Sequence, residues 1–319
     1  MDGYPVGEPH DGGMLDVGDG HRLAWTVSGR PDGVPAVLLH GGPGSGADPA
    51  WRRFLDPDRY RIVQHDQRGC GRSTPSAADP VWDPATVTTP HLLADLDRLR
   101  EHLRVERWLV LGGSWGSTLA LAHAQTRPER VRGLVLFAVA TTSRREVEWL
   151  TRDVGRVFPR EHEAFRAAVP AAERDGDPAA AYARLLASPD PAVHGPAAAA
   201  WCAWEDAHVS LAPGHRPSRR FADPRFRLGF ARLVTRFWAH AGFLDDVAPD
   251  GDLVAGAHRL AGVPGVLVHG RHDVSSPLET AWRLHRAWPG SDLVVVDAGH
   301  GGDAFTAPLV AATDRFAES

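Results

Sequence analysis

The stretch Trp108-Leu-Val-Leu-Gly-Gly-Ser-Trp-Gly-Ser-Thr-Leu-Ala-Leu-Ala-His123 decides how the rest of the chain is read. Trp108 to Leu111 is a short apolar run of the kind a buried strand makes, and a helical apolar pattern follows Gly116. Between them stands Gly112-Gly113-Ser114-Trp115-Gly116, a Gly-x-Ser-x-Gly on a strand-to-helix turn. Side chains at 112 and 116 would crowd so tight a turn, so glycine is needed there. Ser114 is left at the C-terminal edge of a sheet, near a helix start whose partial positive charge favours a developing anion. In a chain with 33 glycines the motif can arise by chance; its weight comes from the strand before it and the helix after it.

Working outward, Ala36-Val-Leu-Leu-His40 is a continuous apolar strand that runs into His40-Gly-Gly-Pro-Gly44, a loop whose glycines let backbone N–H groups approach a ligand. Tyr60 to Asp66 is a further strand, and the Gly-rich turn Gln67 to Ser73 after it is expected to brace the site's rim, with Cys70 a packed small residue. Apolar residues at 92, 93, 96, 99 and 103 predict an amphipathic helix, Pro128 ends the helix after the elbow, and Val131 to Ala140 is one more buried strand. This alternation implies a parallel sheet with helices on both faces.

The character changes at Thr141. From there to about Gly262 the pattern is helical and Ala- and Trp-rich, broken by proline. The α/β pattern resumes with Val266–Gly270, a helix near Pro277–Trp288, Leu293–Asp297 and a last helix over Ala307–Ala317. We therefore expect an α/β core in two parts, 1–140 and 263–319, with a helical cap over 141–262. Residues 1–13 read as a mobile or loosely docked arm, followed by a strand over His21–Ser28.

Composition bounds the function. The 319 residues carry a net charge of −5, which gives no basic field for nucleic acid. No apolar run is long enough to cross a bilayer, and the acidic, Pro/Gly-rich start lacks a signal-peptide layout. Cys70 and Cys202 suit neither a disulfide framework nor a zinc site. A cytoplasmic protein is expected.

A serine hydroxyl needs a histidine to take its proton and a carboxylate to orient that histidine. With Gly-x-Ser-x-Gly the order along the chain is Ser, acid, His, each on a loop after a strand. The loop after 266–270 carries Arg271-His-Asp273 and the loop after 293–297 carries Ala298-Gly-His300. Asp273 and His300 fit as acid and base. Asp297 reads as too deep in its strand and Asp303 follows the histidine, while His269 reads as a core histidine and His272 as pointing outward.

His40-Gly-Gly-Pro-Gly44, Asp66-Gln-Arg-Gly-Cys-Gly-Arg-Ser73, the elbow through Leu121, Trp204-Glu205, Gly270-Arg-His-Asp273 and Ala298-Gly-His300 resemble the proline iminopeptidase family, over about residues 15 to 317. The resemblance implies an α/β-hydrolase fold: a mostly parallel sheet flanked by helices, with a helical cap inserted between strands. It implies removal of N-terminal proline from peptides, without metal or cofactor. Ser114 would be the nucleophile, Asp273 the acid, His300 the base, and the N–H groups of Gly42 and Trp115 the oxyanion hole. Glu205, beside Trp204, would pair with the substrate's terminal ammonium.

The chain departs from the family in its cap. Where the family has Ile-Glu-Asn-His-Tyr-Phe this chain has Leu233-Val-Thr-Arg-Phe-Trp238, so Val234 replaces a second acid and Arg236 adds a positive charge. Ala140 stands where an aromatic residue helps hold the proline ring, and Gly-Gly follows His300. The expectation is that the chemistry persists and the substrate differs: a larger or N-blocked peptide, or an amide-bearing biosynthetic intermediate. The rival readings are an ordinary proline iminopeptidase, with Glu148 or Asp206 supplying the missing acid; a tailoring enzyme that cleaves internally, cyclises or opens a ring; and a non-catalytic binding protein on the same fold.

Overall fold

The computed structural model describes residues 3–209, 211 and 217–318. The chain opens with two antiparallel strands, β1 (Asp11–Gly18) and β2 (His21–Gly29), then continues through β3 (Val34–Leu39), β4 (Tyr60–His65), α1 (Thr89–His102), β5 (Trp108–Gly113), α2 (Trp115–Thr126) and β6 (Val131–Phe137). The segment between β6 and the next strand is helical: α3 (Arg144–Thr151), α4 (Pro159–Ala167), α5 (Pro178–Ala187), α6 (Pro191–His208) and α7 (Pro224–Ala239). The chain returns to the sheet with β7 (Gly265–Gly270), α8 (Leu278–Ala287), β8 (Ser291–Val296) and α9 (Thr306–Ala317).

Among the described residues eight strands form one sheet, in the order β1-β2-β4-β3-β5-β6-β7-β8. Only β1–β2 and β2–β4 pair antiparallel; every pair from β4–β3 to β7–β8 is parallel. The apolar runs lie in the middle because a parallel sheet covered on both faces buries consecutive residues. Val37, Val110 and Leu134 face the side where Leu96, Leu99 and Leu119 pack. Ala36, Leu38, Leu109 and Val135 face the side of Leu309 and Phe316.

The helices between β6 and β7 begin on short-range chemistry. Asp177, Asp190 and Asp223 each accept a backbone N–H at the start of α5, α6 and α7, and a proline opens each helix. Ser143 and Glu146 make a reciprocal capping box at the start of α3. Among the described residues no helix is long and apolar enough to cross a membrane.

The expected arm is not free. Within residues 3–13, the Tyr4 hydroxyl donates to Asp314 at 2.9 Å and Arg52 donates to the Gly7 carbonyl at 2.9 Å. From Asp11 the chain is already β1, in register with β2. Residues 1 and 2 lie outside the described residues.

Candidate active site

Ser114 sits between β5 and α2 with φ 54° and ψ −127°, a left-handed conformation that a non-glycine residue holds only when its surroundings force it. The forcing contacts are close. A Cβ at Gly112 would stand 2.3 Å from the Gly116 carbonyl oxygen, and one at Gly113 would stand 2.3 Å from the Phe137 ring. Trp115 is the first residue of α2, so its N–H has no partner within the helix.

The loops after β7 and β8 complete the arrangement. His300 Nε2 lies 3.0 Å from Ser114 Oγ, and its Nδ1 lies 2.8 Å from Asp273 Oδ2. Asp273 is buried, and its other oxygen accepts the Ser276 N–H at 2.8 Å. Burial alone would push the His300 pKa down, but the charge and hydrogen bond of Asp273 outweigh it and raise the pKa above the ordinary histidine value. The same pairing holds the Asp273 carboxyl below the ordinary carboxylate range against its own burial. In this order a histidine can take the serine proton and stay oriented as it does so.

The competing acids and bases are accounted for. His269 is fully buried within β7; its Nδ1 accepts the Val139 N–H at 3.0 Å and its Nε2 lies 2.7 Å from the Ser276 carbonyl. His272 is exposed and pairs with Asp297 at 2.6 Å. Asp297 is not deep in a strand as expected: it lies just past β8, with its side chain 86% exposed.

The loop after β3 is fastened to the elbow through a residue that the sequence reading named only as part of a bracing turn. The Gln67 N–H donates to His40 Nε2 at 3.1 Å, the Gln67 side chain donates to the His40 carbonyl at 3.1 Å, and Trp115 Nε1 donates to Gln67 Oε1 at 2.9 Å. Gly42, with φ 110°, and Trp115 line the same cleft as Ser114 and His300. That cleft has a volume of about 370 Å³.

Glu205 reaches the cleft from α6. Its side chain is largely buried, and Oε1 accepts Trp201 Nε1 at 3.2 Å. Burial raises its pKa to about 7, although Trp201 and the charge of His300 pull the other way. Ala140 also lines the cleft. Three expected cap residues do not. Trp204 is buried behind it, donating to the Leu150 carbonyl at 3.0 Å and stacking on Phe165. Val234 shares a face of α7 with Phe230 and Trp238, which line the cleft, but is itself fully buried behind that lining. Arg236 turns away: it donates to the Val87 carbonyl at 3.3 Å and lies over the Phe243 ring. Residues 234 and 236 are two apart on a helix and so face nearly opposite ways.

Of the acids suggested as replacements, Asp206 lines the cleft and accepts the Ser218 N–H at 3.0 Å. Glu148 lies in a separate depression with Arg144 and Arg152. The sequence reading missed Glu146, which lines the cleft with its carboxylate already engaged by Thr141, Ser143 and Thr280. It also missed the aromatic wall of Phe221, Phe226 and Phe230, for which the i, i+4 spacing of 226 and 230 was the available signal.

A family model described as alpha/beta hydrolase fold matches residues 35–302. Over 316 residues the chain is 54% identical to a protein of Streptomyces coelicolor named probable proline iminopeptidase, covering 98% of this chain and 97% of that one. It is 44% identical over 318 residues to a proline iminopeptidase of Xylella fastidiosa, covering 98% of each. The crystal structure of proline iminopeptidase from Mycobacterium smegmatis superposes with a TM-score of 0.62 at 21% identity, over 97% of this chain and 99% of that one; at that identity the likeness speaks for the fold.

Proposed function

From the premise that this chain is a hydrolase belonging to the proline iminopeptidase family of α/β-hydrolases, we propose that it releases the N-terminal residue of a peptide, proline foremost, through an acyl-enzyme on Ser114. What carries the reading is that the buried Glu205 carboxylate opens on the same cleft as the Ser114–His300–Asp273 relay. A carboxylate largely withdrawn from water favours a cationic partner, and a peptide's terminal amine is one.

In this mechanism Glu205 holds the amine and so sets the first carbonyl against Ser114. The Ser114 Oγ–C bond forms as the hydroxyl proton passes to His300 Nε2. Charge on the carbonyl oxygen is met by the N–H groups of Gly42 and Trp115. His300 then gives its proton to the departing nitrogen as the C–N bond breaks. Water, deprotonated by the same imidazole, cleaves the ester and restores Ser114. Asp273 keeps the ring in the required tautomer throughout. The helical segment 141–262 acts as the cap that selects substrate.

A second reading rests on Ala140 alone, since Arg236 and Val234 do not reach the cleft. A methyl group in place of a ring leaves space beside the nucleophile, which suits a first residue bulkier than proline or an N-blocked peptide. Hydrolysis of a free prolyl arylamide beside its N-acylated counterpart and a longer internal-peptide substrate separates the two, with Ser114→Ala as control. Preference for the free prolyl substrate supports the first reading; activity only on blocked or internal bonds overturns it in favour of the second.

A further inference from the structure

Behind Glu205 sits a buried histidine that the proposed chemistry leaves unused. His208 is the last residue of α6, is 1% exposed, and packs edge-on against Trp204 with ring centroids 5.6 Å apart. Its Nδ1 lies 3.0 Å from Ser275 Oγ. Its Nε2 faces Glu205 Oε2 at 3.4 Å, outside hydrogen-bond geometry, and has no other partner among the described residues. A buried polar atom without a partner calls for a reason. Burial keeps this imidazole neutral, pushing its pKa down to about 3, so the ring carries one N–H and one lone pair.

Resting on the reading of Glu205 as the amine-binding acid, we propose that His208 is a positioning residue for substrate selection. Its Nε2–H orients the Glu205 carboxylate toward the incoming ammonium, while the Ser275 hydroxyl donates to Nδ1 and fixes the tautomer that makes Nε2 the donor. Glu205 is then flanked on its own helix by Trp201, which donates to Oε1 at 3.2 Å, and by His208, whose Nε2 stands 3.4 Å from Oε2 and needs only a small approach to donate to it. The remaining lone pairs face the cleft. His300, from the loop after β8, and Asp206, the next residue on α6, are the other charged groups that act on it.

A neutral donor suits this task. A lysine or arginine at 208 would neutralise the acid and compete with the substrate's own cation, whereas an imidazole fixes the carboxylate and leaves its charge available. The ring also ties the amine site to the relay. Ser275 is next to Ser276, whose N–H holds Asp273 Oδ1 at 2.8 Å.

The test measures steady-state kinetics on a free-amine prolyl arylamide and on an acetate ester that has no amine. The enzymes are the wild type, Glu205→Gln, His208→Leu and His208→Gln. If His208 donates to Glu205 once the ammonium is bound, removing that donor from a charged acceptor raises KM for the arylamide about tenfold in His208→Leu, with kcat changed less than about twofold. The arylamide-to-ester ratio of kcat/KM falls accordingly, and His208→Gln, whose amide can reach the Nε2 position, restores most of it. If Glu205→Gln lowers the ratio and His208→Leu does not, the role of His208 is overturned and the amine-site reading stands. If Glu205→Gln leaves the ratio unchanged, both fall. Should His208→Leu not fold, Ser275→Ala removes the tautomer lock from the other side, and an unchanged ratio there overturns the proposal.

Discussion

A Cβ built on Gly116 would stand 1.9 Å from the carbonyl oxygen of Leu39, so the first turn of α2 lies directly against the end of β3. This contact joins the two segments that supply the elbow and the loop at Gly42. Gly116→Ala cannot be absorbed by a side-chain rotation, because the obstructing atom is backbone. Overpacking of this kind typically costs about 1–3 kcal/mol, and more where backbone must move. We expect Gly116→Ala to lower the melting temperature and to lose ester hydrolysis through displacement of Ser114. A variant with wild-type melting and turnover would show that the elbow tolerates what this geometry forbids.

The pH dependence follows from two groups. His300 must be neutral to accept the Ser114 proton, and Asp273 lifts its pKa above 6.5. Turnover of an uncharged ester is therefore expected to rise with pH through a midpoint above that value. Asp273→Asn removes the charge that lifts it, so the midpoint moves to lower pH, while the rate falls by about 10⁴ because the tautomer is no longer fixed. For a free-amine substrate Glu205 adds its own limb. The carboxylate binds an ammonium only when ionised, and its pKa stands at about 7. KM is thus expected to fall as pH rises through about 7, until the amine itself loses its proton. A KM that does not change between pH 6 and 8 counts against Glu205 as the amine's partner.

Arg68 carries a stability prediction. It is 1% exposed and makes a bidentate pair with Asp95 of α1, at 2.7 Å and 2.8 Å, while also donating to the Val17 carbonyl of β1 at 3.0 Å. Its Nη1 also meets Asp19 and the Thr86 carbonyl, each at 2.9 Å. Removing Asp95 leaves the buried Arg68 charge with the half-exposed Asp19 as its acidic partner, and breaking a buried pair outright costs about 3–5 kcal/mol. Asp95→Ala is expected to destabilise within that range in urea unfolding, while Asp19→Ala, which removes a half-exposed carboxylate, costs far less. Equal losses for the two would mean that Arg68 is solvated in a way its burial denies.

These features were unequally visible in the sequence. The elbow was legible because a strand, a glycine turn and a helix each leave a local pattern, and the loops after β7 and β8 because each follows an apolar run. β1 was not: Asp11-Gly-Gly-Met-Leu-Asp-Val-Gly18 has little alternation, and its place is fixed by backbone pairing with β2, which every residue type but proline can supply. Arg236 was misplaced for another reason. Adjacency in sequence does not give adjacency at the site, because the helical period turns residue 236 away from the face of 230, 234 and 238. Glu146 was missed because a capping acid and a ligand acid look alike until their hydrogen bonds are seen.

The non-catalytic alternative makes a direct prediction. A serine within 3.0 Å of a histidine whose ring is held by Asp273 is a nucleophile toward phosphonylating agents, whatever the cap selects. A fluorophosphonate is expected to label the wild type at Ser114 and to leave Ser114→Ala unlabelled. Absence of labelling in the folded wild-type protein would return the binding-protein reading.

Ala140 offers the sharpest test of substrate scope, because its backbone is fixed and only its side chain is in question. Its carbonyl accepts Ser117 Oγ at 3.0 Å and Thr118 Oγ1 at 2.9 Å, and its N–H donates to Ser117 Oγ at 2.9 Å. A larger side chain there has to enter the cleft, since the main chain is held. Phenylalanine at this position would narrow the space beside Ser114 and offer a ring face to proline. If the free methyl-lined space is what admits other first residues, Ala140→Phe raises the preference for prolyl over leucyl arylamide, by about tenfold for roughly 1.4 kcal/mol of discrimination. If the wild type already rejects leucyl substrates, the ratio is unmoved, and the aromatic wall of Phe221, Phe226 and Phe230 is the surface that selects proline.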